Sequence, residues 1–503
     1  MKRNLTRSQK NLREFVELPN SSNFSKDSNV SGFGYLPKNI WHIYLHLEFE
    51  SRYESAENLE DAKSFLRNVG KATQVSEKTA KAFDGAVLEA QGSTIHIAIP
   101  HESEKTRSDV SLFCYSLHQN LTKIFAKSQK VKAWRFTSDH GNTLVVNGRG
   151  IHGDQSSVSL GNSANRPAKK LYSELAKNLE EQSLKRFHYG EYWRGTWSYI
   201  DLHDGQVEIP NTLLTERAKD LVFDEKDLDV TVGSFLLETS ARTGIINAST
   251  GDINPDNDEP QRFFGWTMRA DLDGFTSRVE TCFDDDAALR NLANDFLSLM
   301  DDAANFSESH TEHIVQLPWA GDNFTAIAQY DNKEDYIQAL QTKPIELSLD
   351  FEDTMHLKAA GFGFGGWAQS VSGGDIHGNA TGNVFLGSVS FPGRRFLLGA
   401  GKGIGMSIRG FSEMNPKPRS IAILGEDRDM LVKPYKDCLM DNEKENGQSS
   451  TLFRKGVLHD LATAKAEVEM LLGHETPKAK ITVPSVGKAT VRPRPYLHEQ
   501  SKI

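Results

Sequence analysis

The sequence predicts an α+β protein built from two similar halves, and three observations carry that reading. Runs of alternating apolar and polar residues are interleaved with runs whose apolar residues recur at helical spacing. One order of elements, strand, helix, hairpin, helix, strand, begins near Trp41 and its opening returns after Phe263. The length, 503 residues, exceeds one ordinary core and favours roughly two to four domains. A repeat of this size is too long for a solenoid period. Its order matches a βαββαβ, ferredoxin-like sheet with helices on one face.

Residues 1–39 read as a flexible arm, because 20–38 are rich in Ser, Asn and Gly. Structure is expected from Trp41. "IWHIYLHLEF" alternates like a strand, "SAENLEDAKSFLRNVGKATQ" has helical spacing, and "GAVLEAQGSTIHIAIP" gives two strands about a Gly turn. A helix over "SDVSLFCYSLHQNLTKIFAKS" and a strand over "VKAWRFTSDHGNTLVV" complete a first half, 40–172. The second half, 262–412, repeats the pattern with strand "FFGWTMRADL", helix "DDAALRNLANDFLSLMDDAANF", hairpin "EHIVQLPWAGDNFTAIAQYD", a helix over 334–342 and glycine-rich strands to about Gly410. Residues 173–261 are expected to be a connector with a helix, "LYSELAKNLEEQSLKRF", and a hairpin, "GTWSYIDLHDGQVEIP"; 413–503 form an extension with one amphipathic helix from Leu458 and no assignable task.

Composition excludes several classes. No apolar run reaches the roughly 18 residues that span a bilayer, so no membrane role is expected. The net charge of −10 disfavours a polyphosphate partner, so no nucleic acid is expected, although local cations or metals still permit a small anionic ligand. Cys114, Cys282 and Cys438 form no CxxC, which argues against zinc and disulfides and suits a reducing compartment. The basic N-terminus has no apolar signal region, and the expected location is cytoplasmic.

The chemistry concentrates in the second half. Asp271 ends one strand and Asp322 sits in the turn "WAGDNFT", which joins two strands of the same sheet. Two carboxylates at one sheet edge repel unless a cation lies between them, and hard divalent ions prefer such oxygens. Singly, each is an ordinary turn residue; together, with Gly274, Phe275 and Thr276 offering backbone N–H groups to an anion at a helix start, they point to phosphoryl chemistry.

These residues resemble the class III nucleotide cyclases, whose metal strand reads Asp-aliphatic-any-Gly-Phe-Thr and whose second metal Asp sits in a Gly-Asp hairpin. Asp271-Leu272-Asp273-Gly274-Phe275-Thr276 and Gly321-Asp322 match in order. In "SVSLGNSANRPAKKLY", Gly161, Asn165 and Lys169 fall where the family has Gly, a ribose-orienting Asn and, four residues on, a transition-state Arg; Lys keeps the charge but loses the planar fork. From residue types alone, this segment is equally a helix capped by Asn162 or Ser163. Aligning "LGNSANRPAK" with "LGAGKGIGMS" sets Gly403 opposite Asn165 and Ser407 opposite Lys169, and aligning "AQGSTIHIA" with "WAGDNFTAI" sets Ser93 opposite Asp322. Each half lacks what the other keeps, so the expectation is an internal pseudo-dimer with one complete and one ruined site.

The resemblance implies two divalent ions, Mn2+ or Mg2+, at Asp271, Leu272 and Asp322, with Gly274, Phe275 and Thr276 on the substrate, Asn165 holding the ribose and Lys169 stabilising charge on the α-phosphate. The product would be a 3′,5′-cyclic nucleotide. The base-reading position falls on Glu89, whose carboxylate can accept from cytosine, uracil or guanine, and the second base position falls near Val158 or Ser159, matching neither purine pattern. Glu89 could equally be an exposed strand residue. The chain is similar to the pyrimidine cyclases of Pycsar anti-phage systems, which implies conversion of CTP or UTP to cyclic CMP or cyclic UMP, cytosine favoured, and signalling to a separate effector. A guanylate or adenylate cyclase, or an inactive cyclase-like nucleotide sensor, is the alternative. "SGGDIHGN" lacks the Glu-Phe of a GGDEF signature, "GFGFGGW" and "GAGKGIGMS" read as glycine-rich sheet turns, and His42, His46 and His96 read as surface or half-buried histidines.

Overall fold

The computed structural model describes residues 34–49, 58–101, 105–128, 130–149, 155–171, 188–193, 196–201, 221, 223–234, 261–310, 313–330, 332–373, 384–391, 394–441 and 453–471. The first half runs β1 (Gly34–Phe49), α1 (Leu59–Lys81), β2 (Ala86–Gln91), β3 (Thr94–Pro100), α2 (Lys105–Ile124), β4 (Val131–Arg149), β5 (Gln155–Leu160), α3 (Asn162–Leu171), β6 (His188–Trp193), β7 (Thr196–Asp201) and the short β8 (Thr231–Ser234). The second runs β9 (Gln261–Leu272), α4 (Phe275–Cys282), α5 (Asp286–Ser309), β10 (His313–Gln316), β11 (Asn323–Tyr330), α6 (Lys333–Leu340), α7 (Lys343–Gly361), β12 (Trp367–Gly373), β13 (Val384–Phe391), β14 (Arg394–Ala400), α8 (Lys402–Met414), β15 (Ser420–Leu424), α9 (Gly425–Met430), α10 (Lys433–Asp437), β16 (Leu439–Asp441), β17 (Phe453–Val457) and α11 (Leu458–Leu471).

The two sheets share one topology. Strand order is β2-β3-β1-β4-β6-β7 in the first and β10-β11-β9-β12-β15-β17-β16 in the second. The inner four strands have the ferredoxin-like arrangement, so the expected α+β duplication is present. Each sheet then gains a parallel strand, β6 on β4 and β15 on β12, followed by an antiparallel one. The expected boundaries at 172 and 412 therefore cut through sheet edges: β6 and β7, within the residues assigned to the connector, and β15, β16 and β17, within those assigned to the extension, complete the two sheets; of the hairpin expected over 195–210 only β7 is described, and it pairs with β6, not with a later strand. The first strand also starts at Gly34, not Trp41, because Gly34–Asn39 pair with Asn142–Asn147 of the long β4. The helix expected over 171–187 lies, beyond Leu171 at the end of α3, outside the described residues, as do the arm before 34 and "GGDI" beyond Gly373.

Helix starts are encoded locally. Asn58, Asp285 and Asn332 each accept a backbone N–H of the first turn of α1, α5 and α6, and α1 carries Glu60 and Asp61 at its start and Lys78 and Lys81 at its end, matching the helix dipole. α7 opens with Pro344 in its first turn, where the missing N–H costs nothing.

The cores are exchanged between halves. Leu144, Val146, Val158 and Leu160 of the β4–β5 arm pack into the core built on Trp266, Met268, Phe296 and Trp367. Reciprocally, Phe396, Leu398 and Ala400 of β14 pack with Val69, Val75 and Phe113 of the first half. Gly148 allows the first arm to lie on α5, since a Cβ there would collide with Met300 and crowd Leu297. No described helix is long and apolar enough to cross a membrane.

Candidate active site

The two carboxylates expected to hold a metal meet at one sheet edge. Asp271 pairs in register with Asn323, and Asp322 is the residue before it in the turn. That turn has two residues and is closed by reciprocal Ala320–Asn323 backbone bonds of 3.3 and 3.1 Å, with Gly321 at φ 62°. A positive φ at only the first central residue is the mark of a II′ turn, which takes glycine there. The first half repeats it: Gly92 at φ 54° sets Ser93 in the slot of Asp322, and His46 faces Thr94 as Asp271 faces Asn323. His46 Nδ1 lies 3.3 Å from Ser93 Oγ and 3.1 Å from Thr94 Oγ1, and burial, with Arg135 adding, holds its pKa down at about 3. The ruined metal position is thus filled by a neutral hydrogen-bonded histidine.

Desolvation pushes the pKa of both Asp271 and Asp322 up, Asp322 the more, with the charge of Asp271 adding to it. Lys169 and Arg269 pull both back down. Leu272 buries its side chain in the core, so only its backbone carbonyl is available beside them. Two carboxylates that are costly to ionise together, plus a carbonyl, form a donor set that suits a hard divalent cation. Among the described residues no cluster of three or more His, Cys, Asp or Glu side chains forms a metal site.

Beside the pair, Gly274 adopts φ 75° and leads into α4, whose first turn has no side-chain cap, so the N–H groups after Phe275 remain directed outward. Phe275 itself is a core residue, its ring tilted against those of Phe296 and Phe364. Arg278 braces this helix by a 2.5 Å bond to Asp295 and by lying 4.5 Å over the Phe364 ring. The "GFGFGGW" stretch is the turn from α7 to β12, and it clamps the metal loop: Asp273 N–H donates to Gly366 O and Gly365 N–H to Asp273 O, each 2.9 Å. A Cβ on Gly365 would meet Asp273 Oδ2 at 2.5 Å and its Cβ at 3.3 Å. Gly365→Ala is expected to displace this loop at a cost of about 1–3 kcal/mol in stability, with the fold retained; thermal melts followed by circular dichroism check this.

The first half supplies the facing wall. Asn165 donates from Nδ2 to Thr276 Oγ1 at 2.9 Å across the seam, and a Cβ on Gly321 would lie 3.9 Å from Asn165 Oδ1. Lys169, exposed one turn later on α3, acts electrostatically on both carboxylates. Helix α3 is fixed by Arg166, whose Nε donates to buried Asp139 at 2.7 Å, and by Thr137 Oγ1 donating to Pro167 O at 2.9 Å. Residues from both halves therefore line one cleft.

Helix α8 corrects the alignment of the two halves. "GAGKGIGMS" is no sheet turn: β14 ends at Ala400, Gly401 at φ 126° is the N-cap, and the helix begins at Lys402. Gly161 holds that place before α3, and Ser370 bonds Ser407 O as Thr137 bonds Pro167 O. The equivalents of Asn165 and Lys169 are therefore Gly405 and Arg409, not Gly403 and Ser407. The Asn is lost in the second half; a basic residue at the Lys169 position is not.

Glu89 is not an exposed strand residue. Its side chain is 14% exposed, lies 3.7 Å from His96 Nδ1, and is pushed up to about pKa 8 by burial against a smaller opposing pull from Arg269. Val158 is core, whereas Ser159 is buried with a hydroxyl that has no partner among the described residues. Sequence reasoning missed Arg269, which bonds Asn323 Oδ1 at 2.8 Å and acts on Glu89, Asp271 and Asp322 alike. A charged residue two before Asp271, and so on the same strand face, was the available signal. His42 and His96, expected at the surface or half-buried, are buried at 0% and 2% exposure.

Two sheets of one order, exchanging arms about a shared cleft, define a class III cyclase-like fold. Among solved structures the chain is similar to a class III adenylyl cyclase-like ATP-binding protein from Pseudomonas aeruginosa, at 15% identity over 88% of this chain and 94% of that one, with a TM-score of 0.59. The adenylyl cyclase CyaB from P. aeruginosa (14% identity, 39% of this chain, 94% of that one, TM-score 0.27) and the guanylate cyclase domain of RhGC from Catenaria anguillulae in complex with GTP (12%, 39%, 96%, 0.28) also match, too distantly to add to the argument. No model of a protein family matches the chain, and no curated protein matches it.

Proposed function

We propose that the chain is an internal pseudo-dimer that binds a nucleoside triphosphate in the cleft between its halves and cyclises it to a 3′,5′-cyclic nucleotide, releasing pyrophosphate. The observation that carries this reading is the convergence of Asp271 and Asp322 from one half with Asn165 and Lys169 from the other, sealed by the Asn165–Thr276 bond. Asp271, Asp322 and the Leu272 carbonyl would hold the metal. When bound, two divalent ions, Mn2+ or Mg2+, supply Lewis acidity at the ribose 3′-hydroxyl and neutralise the triphosphate. The N–H groups at the start of α4, with Gly274 and Thr276, bind phosphate oxygens. Asn165 orients the ribose so that its 3′-oxygen attacks the α-phosphorus in line, the hydroxyl proton passes to water, the bond to the pyrophosphate oxygen breaks, and Lys169 offsets charge on the α-phosphate oxygens.

The base reading favours a pyrimidine, CTP or UTP with cytosine ahead, because Glu89 presents an oxygen acceptor and the second base position, Val158 and Ser159, matches neither purine pattern. The product would then act on a separate effector, as in anti-phage signalling. A second reading, a nucleotide sensor without turnover, is favoured by one residue, Lys169 where the resembled family has Arg, and by the description of the P. aeruginosa structure as an ATP-binding protein. The test is incubation of the pure protein with each of ATP, GTP, CTP and UTP and Mn2+, with products separated by chromatography. Cyclic CMP or cyclic UMP is the expected product; cyclic AMP alone would end the pyrimidine reading, and binding without any product would favour the sensor.

A further inference from the structure

A line of buried polar groups leads away from the base-reading position, and its hydrogen bonds can run in only two concerted directions. His96 Nε2 lies 2.9 Å from His42 Nδ1, His42 Nε2 lies 2.7 Å from Thr143 Oγ1, and Thr143 Oγ1 lies 3.2 Å from Ser163 Oγ in the first turn of α3, two residues before Asn165. His42, His96, Thr143 and Ser163 are each at most 2% exposed. The Tyr44 ring stacks on His96 at 4.2 Å, and Gly141 leaves room for Ser163, whose Cβ would stand 3.1 Å from a Cβ there. Burial holds His96 down at about pKa 3 and, with the charge of His96 adding, lowers His42 as well, so each ring is neutral with one N–H.

The Thr143 end sets the polarity. Thr143 Oγ1 lies 2.7 Å from His42 Nε2, 3.2 Å from Ser163 Oγ and 3.3 Å from the Gly141 carbonyl, which can only accept. A hydroxyl has a single proton: given to Gly141 or Ser163, it leaves Thr143 accepting from His42 Nε2–H, His42 Nδ1 accepting from His96 Nε2–H and His96 Nδ1 an acceptor facing Glu89, whereas given to His42 it reverses every link; the proposal takes the first arrangement. An acceptor there calls for a donor on Glu89. The groups facing Glu89 are His96 from β3 and Arg269 from β9.

We propose that Glu89 reads the base as a neutral carboxylic acid, its proton held toward His96 by the His96–His42–Thr143 chain and its other oxygen presented to the base as an oriented, uncharged acceptor. This rests on the reading of Glu89 as the base contact. The 3.7 Å between Glu89 Oε1 and His96 Nδ1 is longer than a hydrogen bond, and the carboxyl closes it when a base N–H engages the other oxygen. Burial that favours the protonated carboxyl supports the same state. His96, His42 and Thr143 are positioning residues, and through Ser163 the chain ends on the helix that carries Asn165, so base contact and ribose placement share one rigid support.

Two measurements test it. In the full chain labelled with 15N-histidine and free of nucleotide, imidazole nitrogen shifts, assigned with His42→Gln and His96→Gln, should show both rings as neutral Nε2–H tautomers at pH 7. Either ring as the Nδ1–H tautomer, or charged, overturns the proposal, whatever the protein binds. In equilibrium dialysis against CTP, UTP, GTP and ATP, Glu89→Gln, whose amide also donates on one side and accepts on the other, should keep the wild-type order of affinities, while Glu89→Leu should weaken the preferred nucleotide by at least ~10-fold and flatten the order. If Gln is as damaging as Leu, the carboxylate works as an anion and the proposal fails. If the wild type binds none of the four, the nucleotide reading falls and the tautomers alone decide the chain.

Discussion

Asp322→Asn is expected to remove cyclic nucleotide formation, by roughly 10³-fold, and at the same time to raise the thermal stability of the metal-free protein. Its carboxylate is desolvated and stands against the charge of Asp271. A carboxyl whose folded pKa is raised holds its proton in the folded chain where the unfolded chain has released it. Its stabilising protonated form is complete below the ordinary carboxylate range, and stability falls as pH rises from there through the raised folded value. The wild type without metal should therefore lose stability as pH rises from about 4, and the Asn variant should lose less. At neutral pH the variant's midpoint should lie higher by roughly 2–4 °C, the shift that 1 kcal/mol gives in domains of this size. Scanning calorimetry with and without Mn2+ checks the account: Mn2+ should stabilise the wild type and leave Asp322→Asn almost unmoved. A variant both inactive and less stable would show that Asp322 serves the fold, not a cation.

Lys169 separates turnover from binding. Lys169→Ala should lower kcat by on the order of 10²-fold with KM changed little, because a positioned cation is needed most where charge develops on the α-phosphate. Lys169→Arg should keep or raise kcat, since the guanidinium adds a two-pronged donor at the same site. The residue is exposed on α3, so its substitution should leave the thermal midpoint within about 1 °C. Steady-state kinetics on the preferred nucleotide decides. An unchanged kcat in Lys169→Ala would remove Lys169 from the reaction and leave Arg269 as the other cation acting on both carboxylates.

Much of the fold could be read from the chain because periodicity and turn chemistry are local. Gly92-Ser93 and Gly321-Asp322 are two-residue turns recognisable from neighbouring letters, and both hairpins fell in place around them. The placement of Asp271 and Asp322 at one end of neighbouring strands was legible for the same reason, whereas Asn165 was picked out only by the resemblance to the family motif. α7 was missed since its apolar residues are spread around the helix; packing against α5, β12 and α11 outweighs that weak pattern. α8 was missed because Gly401, Gly403 and Gly405 argue against a helix by propensity, yet Ser372 Oγ donates to Gly403 O and a Cβ at Gly403 would meet Ser372 O at 3.2 Å, so close packing on β12 outweighs propensity. That same misreading shifted the alignment of the halves by two residues and hid Arg409. Arg269 and the buried histidines lay inside strands, where the alternation shows which face a side chain takes but not that another sheet covers that face.

The swapped arms have a consequence for how the chain can be made. With Leu144, Val146, Val158 and Leu160 completing the interior of the later lobe, and Phe396, Leu398 and Ala400 that of the earlier one, neither lobe is a self-sufficient folding unit. Contacts separated by more than a hundred residues must form before either interior is sealed, which makes folding slow and leaves sticky strands waiting for the distal portion to be synthesised. Two fragments cut between Asp201 and Gln261 should precipitate when produced singly and reconstitute a soluble complex when produced in the same cell.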